Sequence, residues 1–170
     1  MKNITYVVGF VWVLVACHAG LASDPCNQCR ANAVGGDKSG VLQCLVNQLK
    51  NEKSDSAKAE VTIRCTIDLW KTKDGAVGPA ISDAFLDVMK INPRVFFNVM
   101  VQNDSIFSDW LNNLGTLSFT WYKDPPSPLE QKRENLIQLL KSMGPMAGKQ
   151  GDFRQSLLVT RENIRPRQVE

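Results

Sequence analysis

Four cysteines between residues 26 and 65 constrain the fold of this chain more than any other feature. They are Cys26, Cys29, Cys44 and Cys65. An even number of cysteines in an exported protein is typical of structural disulfides, and four cysteines allow three pairings. Any fold of this segment therefore has to bring the four sulfur atoms together in pairs.

The residues around these cysteines have a helical pattern. Asp24-Pro25 predicts an N-cap followed by proline at the first helical position, so Cys26 and Cys29 begin a short helix and lie one turn apart. The glycine pair at 35–36 ends this helix. Apolar residues at helical spacing then predict a second helix over residues 39–49, which carries the third cysteine.

These helices place the four cysteines in one layer if the chain folds back at the glycine pair and again near residue 53. Two pairings fit that layer: Cys29–Cys44 with Cys26–Cys65, or Cys44–Cys65 with a local Cys26–Cys29 bridge. We favour the first, because it closes two longer loops. A redox Cys-x-x-Cys site would need a βαβ context, and a four-thiolate zinc site would need reduced cysteines. Structural disulfides are therefore predicted.

Residues 1–23 have the pattern of a signal peptide. Lys2 supplies one positive charge, and residues 4–16 form an uncharged, mostly apolar run of the length of a signal core. A helix that spans a bilayer needs about 20 apolar residues, so a retained membrane anchor is not favoured. The protein is therefore predicted to leave the cytosol.

Two modes of signal cleavage stay open. Leu14-Val15-Ala16-Cys17 resembles a bacterial lipobox, in which the cysteine becomes the first mature residue and receives lipid chains. Small residues at 20–23 instead favour ordinary cleavage. The expected location is the periplasm or outer envelope. The protein would be a membrane-anchored lipoprotein if Cys17 is acylated, and soluble or secreted otherwise.

Residues 24–144 are predicted to form one all-α domain. A helix over residues 56–73 has apolar residues on two opposite sides, which is typical of an interior helix. Ser127-Pro128-Leu129-Glu130 has the pattern of a capping box and starts a last helix to about residue 143. The expected fold is a compact bundle or short helical-repeat stack of about six helices, stapled by disulfides. Residues 145–170 are polar and are expected to be a largely mobile tail.

An eleven-residue periodicity runs through the middle of this domain. Phe85, Phe96 and Phe107 each start a block in which Asp or Asn follows two positions later, and two apolar residues come next. Since eleven residues make about three helical turns, each block presents the same face. Proline inside a helix costs about 3 kcal/mol, so Pro93 argues against one continuous helix. The predicted helices cover residues 79–91, 93–102 and 105–114.

The segment after Gly115 has a different pattern. Leu117, Phe119 and Trp121 alternate with polar residues, as in a strand. One strand alone has no partner, so we predict an extended segment or a short helical turn laid across the core. Trp121 and Tyr122 are candidates for contact with a partner protein, and core packing is the alternative.

Composition argues against several classes of function. The single histidine, His18, lies in or beside the predicted signal, so the folded domain has none for a Ser-His-Asp triad or a histidine zinc site. The net charge is only +3, and no basic stripe is interleaved with aromatic residues, so nucleic acid is not expected as a partner. The sequence has no metal or cofactor motif, and we do not predict an enzyme.

A carboxylate-based hydrolase is the enzymatic alternative. Its candidate acids are Glu60, Asp83, Asp87 and Asp109. Asp83 and Asp87 stand four residues apart on an amphipathic helix, a spacing that is also typical of a solvated face.

The function predicted from these features is that of an exported helical module of the cell envelope that binds another envelope or secreted protein. The most concrete version is an inhibitor or immunity-type partner of a toxin or lytic enzyme. A lipid-anchored structural or assembly protein of the envelope is the main alternative. These predictions follow from fold class and location, because the sequence identifies no interface.

Overall fold

A computed structural model describes residues 24–51, 55–121, 127–164 and 166–168. The described residues form eight α-helices, a short 3₁₀ turn and two strands of two residues. The helices are α1 Pro25–Asn32, α2 Lys38–Asn51, α3 Ser56–Lys71, α4 Gly78–Ile91, α5 Pro93–Val101, α6 Asp104–Ser118, α7 Ser127–Ser142 and α8 Gly148–Asn163. The turn is Val34–Gly36, and the strands are β1 Thr120–Trp121 and β2 Arg167–Gln168. The predicted all-α bundle is therefore confirmed.

Two disulfides staple α1 to its neighbours. Cys26 bonds to Cys65 of α3, with 5.8 Å between the Cα atoms. Cys29 bonds to Cys44 of α2, with 5.7 Å between the Cα atoms. This is the pairing that loop length favours. The carboxylate of Asp24 caps α1 by accepting a hydrogen bond from the amide of Cys26 at 2.9 Å, as the Asp-Pro signal predicts.

The predicted interior helix is α3. It contacts α1, α2, α4, α5 and α6. Ile63, Ile67 and Trp70 are buried on one side. On the other side Cys65 and Leu69 are buried, and Val61, the third member of that row, is partly buried. The first three helices therefore share one core with the rest of the chain.

The next three helices form a triangle in which each contacts the other two. Phe85, Phe96 and Phe107 are all buried, so the three blocks of the eleven-residue pattern do present equivalent faces. Edge-to-face contacts join Trp110 to all three phenylalanine rings at centroid distances of 5.5, 5.8 and 5.9 Å. These mutual contacts match the bundle alternative rather than a linear stack.

The strand-like segment differs from its prediction. Helix α6 continues through Ser118, so Leu117 belongs to that helix. The alternation of apolar and polar residues therefore starts before the backbone becomes extended. Within the described part of this segment, which ends at residue 121, Thr120 and Trp121 are the extended residues, and they pair in parallel with Arg167 and Gln168. The partner strand, β2, lies near the C-terminal end of the chain. The residues close to β1 in the sequence therefore give no sign of it.

The expectation of a largely mobile C-terminal tail is wrong for Gly148–Asn163, which forms α8. Phe153 stacks on Phe107, with ring centroids 4.1 Å apart and nearly parallel planes, and Leu157 is fully buried. Gly151 in this helix has a packing role, because a Cβ there would lie 2.3 Å from the carbonyl oxygen of Met146. A narrow apolar stripe with four-residue spacing is enough to dock this polar helix.

Candidate functional site

The structure places the predicted site residues in different positions. All four cysteines are in disulfides. Cys17 and Tyr122 lie outside the described residues, and the structure describes the backbone of Trp121 only. These two predictions, of lipidation at Cys17 and of a partner contact at Trp121 and Tyr122, therefore stay predictions.

Asp109 is the most heavily bonded of the candidate acids. Its carboxylate accepts hydrogen bonds from Lys73 Nζ and Trp70 Nε1, both at 2.8 Å, and from the Asn113 amide at 3.1 Å. The hydrogen bond from Lys73 is the main cause that lowers the pKa of Asp109 below its usual value. A general acid needs a raised pKa, so this carboxylate is suited to holding helices together.

The other three acids form ion pairs at the surface. Glu60 binds Arg64 within α3 at 2.7 Å, and Asp87 binds Lys90 within α4 at 3.1 Å. Asp83 on α4 reaches across to Lys132 on α7 at 2.6 Å. Two of these acids, Asp83 and Asp87, line the same depression between α2 and α4.

We call this depression, with its continuation toward the helix ends, the α2–α4 groove. One part has a volume of about 310 Å³ and is lined by Ser39, Leu42, Gln43, Val46, Ala80, Asp83, Ala84 and Asp87. The continuation has a volume of about 490 Å³ and is lined by Lys50, Asp87, Lys90 and Ile91. The lining residues advance together along both helices, so α2 and α4 run in the same direction. The lining covers twelve residues on each helix, from 39 to 50 and from 80 to 91, so the groove is about 16 Å long.

The groove has an apolar floor and a polar rim. Leu42, Val46 and Ala84 are buried at its base, while Gln43 is exposed and Asp83 is partly exposed at its edge. An apolar centre with a polar margin is a distribution that protein-binding surfaces also have.

Charge is divided along the groove. Asp83 and Asp87 lie in the middle, whereas Lys50 and Lys90 lie where the two helices end. The side chains of Asp87 and Lys90 are each 39% exposed. Exposed pairs of this kind contribute little to stability. They can therefore rearrange toward a charged partner at small cost.

Both walls of the groove are held firmly. The Cys29–Cys44 bond fixes α2, whose Leu45 and Leu49 are buried in the core. Helix α4 packs against α2, α3, α5 and α6. A preformed surface avoids the ordering cost that a flexible one incurs on binding.

A second concavity lies between α5 and the connection from α7 to α8. It has a volume of about 500 Å³ and is lined by Pro93, Arg94, Asn98, Met143, Pro145, Met146, Ala147 and Gln150. Gln150 donates a hydrogen bond to Asn98 beside it. Much of its wall is the irregular segment between the two helices, so it is less firmly preformed than the α2–α4 groove.

The groove was missed by reasoning from the sequence. The available signal is on α4, where Ala80 and Ala84 form a row of small residues beside the row of Asp83 and Asp87. That pattern shows a helix face that another chain can approach closely. It does not show that α2 lies alongside, because the register between two helices separated by α3 is a tertiary property.

Among the described residues, no helix is long and apolar enough to cross a membrane. The described part of the chain also contains no group of three or more side chains that could hold a metal ion. Comparison of the chain with family models, with curated proteins and with solved structures found no match. The functional argument therefore depends on the geometry of the chain itself.

Proposed function

We propose that the protein is an exported binding module that docks a segment of another protein in the α2–α4 groove. The observation that carries this proposal is the apolar floor with a polar rim, built between two helices that a disulfide and the core hold in place. The disulfides themselves are typical of an oxidising compartment, which supports export.

The lining residues specify the chemistry of the partner. Ala80 and Ala84 leave room for apolar side chains of the docked segment, and Asp83 and Asp87 favour a basic residue beside them. Lys50 and Lys90 favour an acidic residue where the two helices end. The partner is therefore an extended or helical segment with a basic and an acidic residue about half a groove length apart.

The biological setting that we propose is the periplasm or outer envelope. In the first version, the module inhibits or neutralises a toxin or lytic enzyme that shares this compartment. In the alternative, it is a lipid-anchored structural or assembly protein, with Cys17 acylated. The two versions differ in whether a variant without the anchor still binds its partner in solution, as an inhibitor would.

Site-specific photo-crosslinking in the native host tests the groove. A photoreactive amino acid replaces Gln43 at the rim, and the matched control replaces Gln155, an exposed glutamine on α8. We expect a discrete crosslinked adduct from position 43 and none of the same mass from position 155. Equal adducts from both positions, or no adduct from position 43, would contradict the proposal.

A second variant ties the adduct to the shape of the groove. Ala80→Trp fills the partly exposed lining, and Ala57→Trp places the same side chain on an exposed position of α3. We expect the Ala80→Trp change to reduce the crosslinked adduct at least tenfold, while Ala57→Trp leaves it unchanged. Unchanged crosslinking in a folded Ala80→Trp variant would show that the partner binds elsewhere.

A further inference from the structure

We propose that the junction of α6, α7 and α8 contains a binding site for an oxyanion, either a carboxylate or a phosphate, centred on the guanidinium of Arg161. The side chain of Arg161 is fully buried, and its Cζ atom lies 3.5 Å from the centroid of the Phe119 ring. Asp83, at the rim of the α2–α4 groove, also lies near this site, but the proposal does not depend on the function proposed for the groove.

The hydrogen-bond donors of this guanidinium are unused. Among the described residues, Nε, Nη1 and Nη2 of Arg161 have no hydrogen-bond partner, and the same holds for the buried Nε of Arg133. Buried polar groups in folded proteins are nearly always paired, and a buried unpaired charge is more costly still. A ligand that accepts these hydrogen bonds would remove that cost.

The charges around the site are unbalanced. Arg161, Arg133 and Lys132 face one carboxylate, that of Asp83, and Lys132 binds it at 2.6 Å. Arg133 Nη1 donates to the carbonyl oxygen of Arg161 at 3.5 Å, which neutralises no charge. Asp83 attracts Arg161 from a distance, but neither guanidinium group forms a direct ion pair within the described part of the chain.

The geometry selects the class of ligand. A separation of 3.5 Å is that of two stacked planar groups, so the ring of Phe119 covers one face of the Arg161 guanidinium and leaves its edge for hydrogen bonds. That edge is a planar fork that matches two oxygens of a carboxylate or a phosphate.

Phe119 and Arg161 are both fully buried, so an anion reaches the guanidinium only when a neighbouring element opens. Strand β1 begins at Thr120, directly after Phe119, and its pairing with β2 covers only two residues. So short a bridge adds little stability, and local opening of such elements requires far less free energy than global unfolding. Opening of this bridge admits a small anion.

Thermal denaturation with two anions tests the proposal and distinguishes the two sources. Inorganic phosphate and acetate are titrated separately into the purified full chain, with sodium chloride at matched ionic strength as the reference. With the anion that the site accepts, we expect Tm to rise with the logarithm of the anion concentration above the Kd, by about 5 °C at 100 times the Kd. Arg64→Met, which changes an exposed arginine, should leave this rise intact. Arg161→Met should abolish it.

A spectroscopic readout keeps the proposal testable if Arg161→Met does not fold. In arginine side-chain NMR spectra, the Nε–H signal of Arg161 should shift with added anion, and Arg161→Lys, which keeps the charge but loses the fork, should bind at least tenfold more weakly. A response to phosphate alone identifies a phosphate site, and a response to acetate alone identifies a carboxylate site. No saturable response to either anion, or an equal response in Arg64→Met and a folded Arg161 variant, would overturn the proposal.

Discussion

The hydroxyl of Ser82 forms hydrogen bonds with two other buried side chains, those of Trp110 and Ser118. It accepts a hydrogen bond from Trp110 Nε1 at 2.9 Å and shares another with the hydroxyl of Ser118 at 2.6 Å. All three residues are buried. Trp110 also contacts three phenylalanine rings, so this hydroxyl fixes the aromatic core in one arrangement.

Ser82→Ala should therefore lower the free energy of unfolding by about 1–3 kcal/mol, because it leaves the indole N–H and the Ser118 hydroxyl unpaired. Ser118→Ala should cost less, since Ser82 still accepts from Trp110. Urea denaturation measures both, with the exposed Ser108→Ala as the control. A smaller effect for Ser82→Ala than for Ser118→Ala would show that the hydroxyl of Ser82 is not the shared partner.

Arg161 leads to a second prediction at the residue scale, which concerns how the free energy of unfolding depends on pH. Burial, together with the nearby charge of Arg133, lowers the pKa of Arg161 to about 9, while Asp83 acts in the opposite direction. Between this value and the usual arginine range, the folded protein has released a proton that the unfolded chain still holds. The free energy of unfolding therefore rises with pH through this window.

Relative to Arg161→Met, the wild-type chain should gain about 1 kcal/mol of stability between pH 8 and pH 10 in a buffer without phosphate or carboxylate. The difference between the two proteins isolates Arg161, because lysines and tyrosines titrate in both. Chemical denaturation at a series of pH values measures it. A constant difference across this range would show that Arg161 does not lose its proton near pH 9.

At the scale of the helices, local signals were the most reliable guide. The Asn92-Pro93 pair predicts the break between α4 and α5, and Asn92 does cap α5 by accepting from the amide of Val95. The disulfide layer followed from helix lengths and turns alone. Ends that depend on tertiary packing were less predictable: Gly115 does not end α6, because it packs against Ile164 after α8.

Helix α8 shows why the sequence of residues 145–170 predicts a mobile tail. Its composition is polar, and its apolar contact comes from Phe153 and Leu157, one turn apart. Such a stripe is too narrow to predict a helix until its neighbours are known. The α2–α4 groove was unpredictable for the same reason, since its two walls come from helices whose register the sequence does not specify.

Phe153→Ala tests whether α8 is a structural part of the domain. The ring is 8% exposed and stacks on Phe107, so its removal should cost about 3 kcal/mol. Val159→Ala is the matched control on the same helix, because Val159 is 45% exposed and should cost close to nothing. If both substitutions lower the free energy of unfolding by equal, small amounts in urea denaturation, α8 is not a structural part of the domain.

At the scale of the whole molecule, two different devices hold the two ends of the domain. Disulfides tie α1 to α2 and α3, whereas the stacked rings of Phe107 and Phe153 and the packing of α8 against α5 and α7 hold the C-terminal helix. Reduction should therefore loosen the N-terminal layer and, with it, one wall of the α2–α4 groove. The function proposed for the groove would then depend on redox state through α2, which both carries Cys44 and lines the groove.

Intact-mass measurement of the native protein tests this molecular picture, including the proposed export. We expect the chain to begin either at an acylated Cys17 or near residue 24, and full reduction to add about 4 Da, two hydrogens for each of two disulfides. Three acyl chains at Cys17 would hold the protein on a membrane far more firmly than one chain does. A measured mass that still includes Met1, or no increase in mass on reduction, would contradict the proposed export of the protein. Acylation at Cys17 would instead place that groove within reach of a membrane surface.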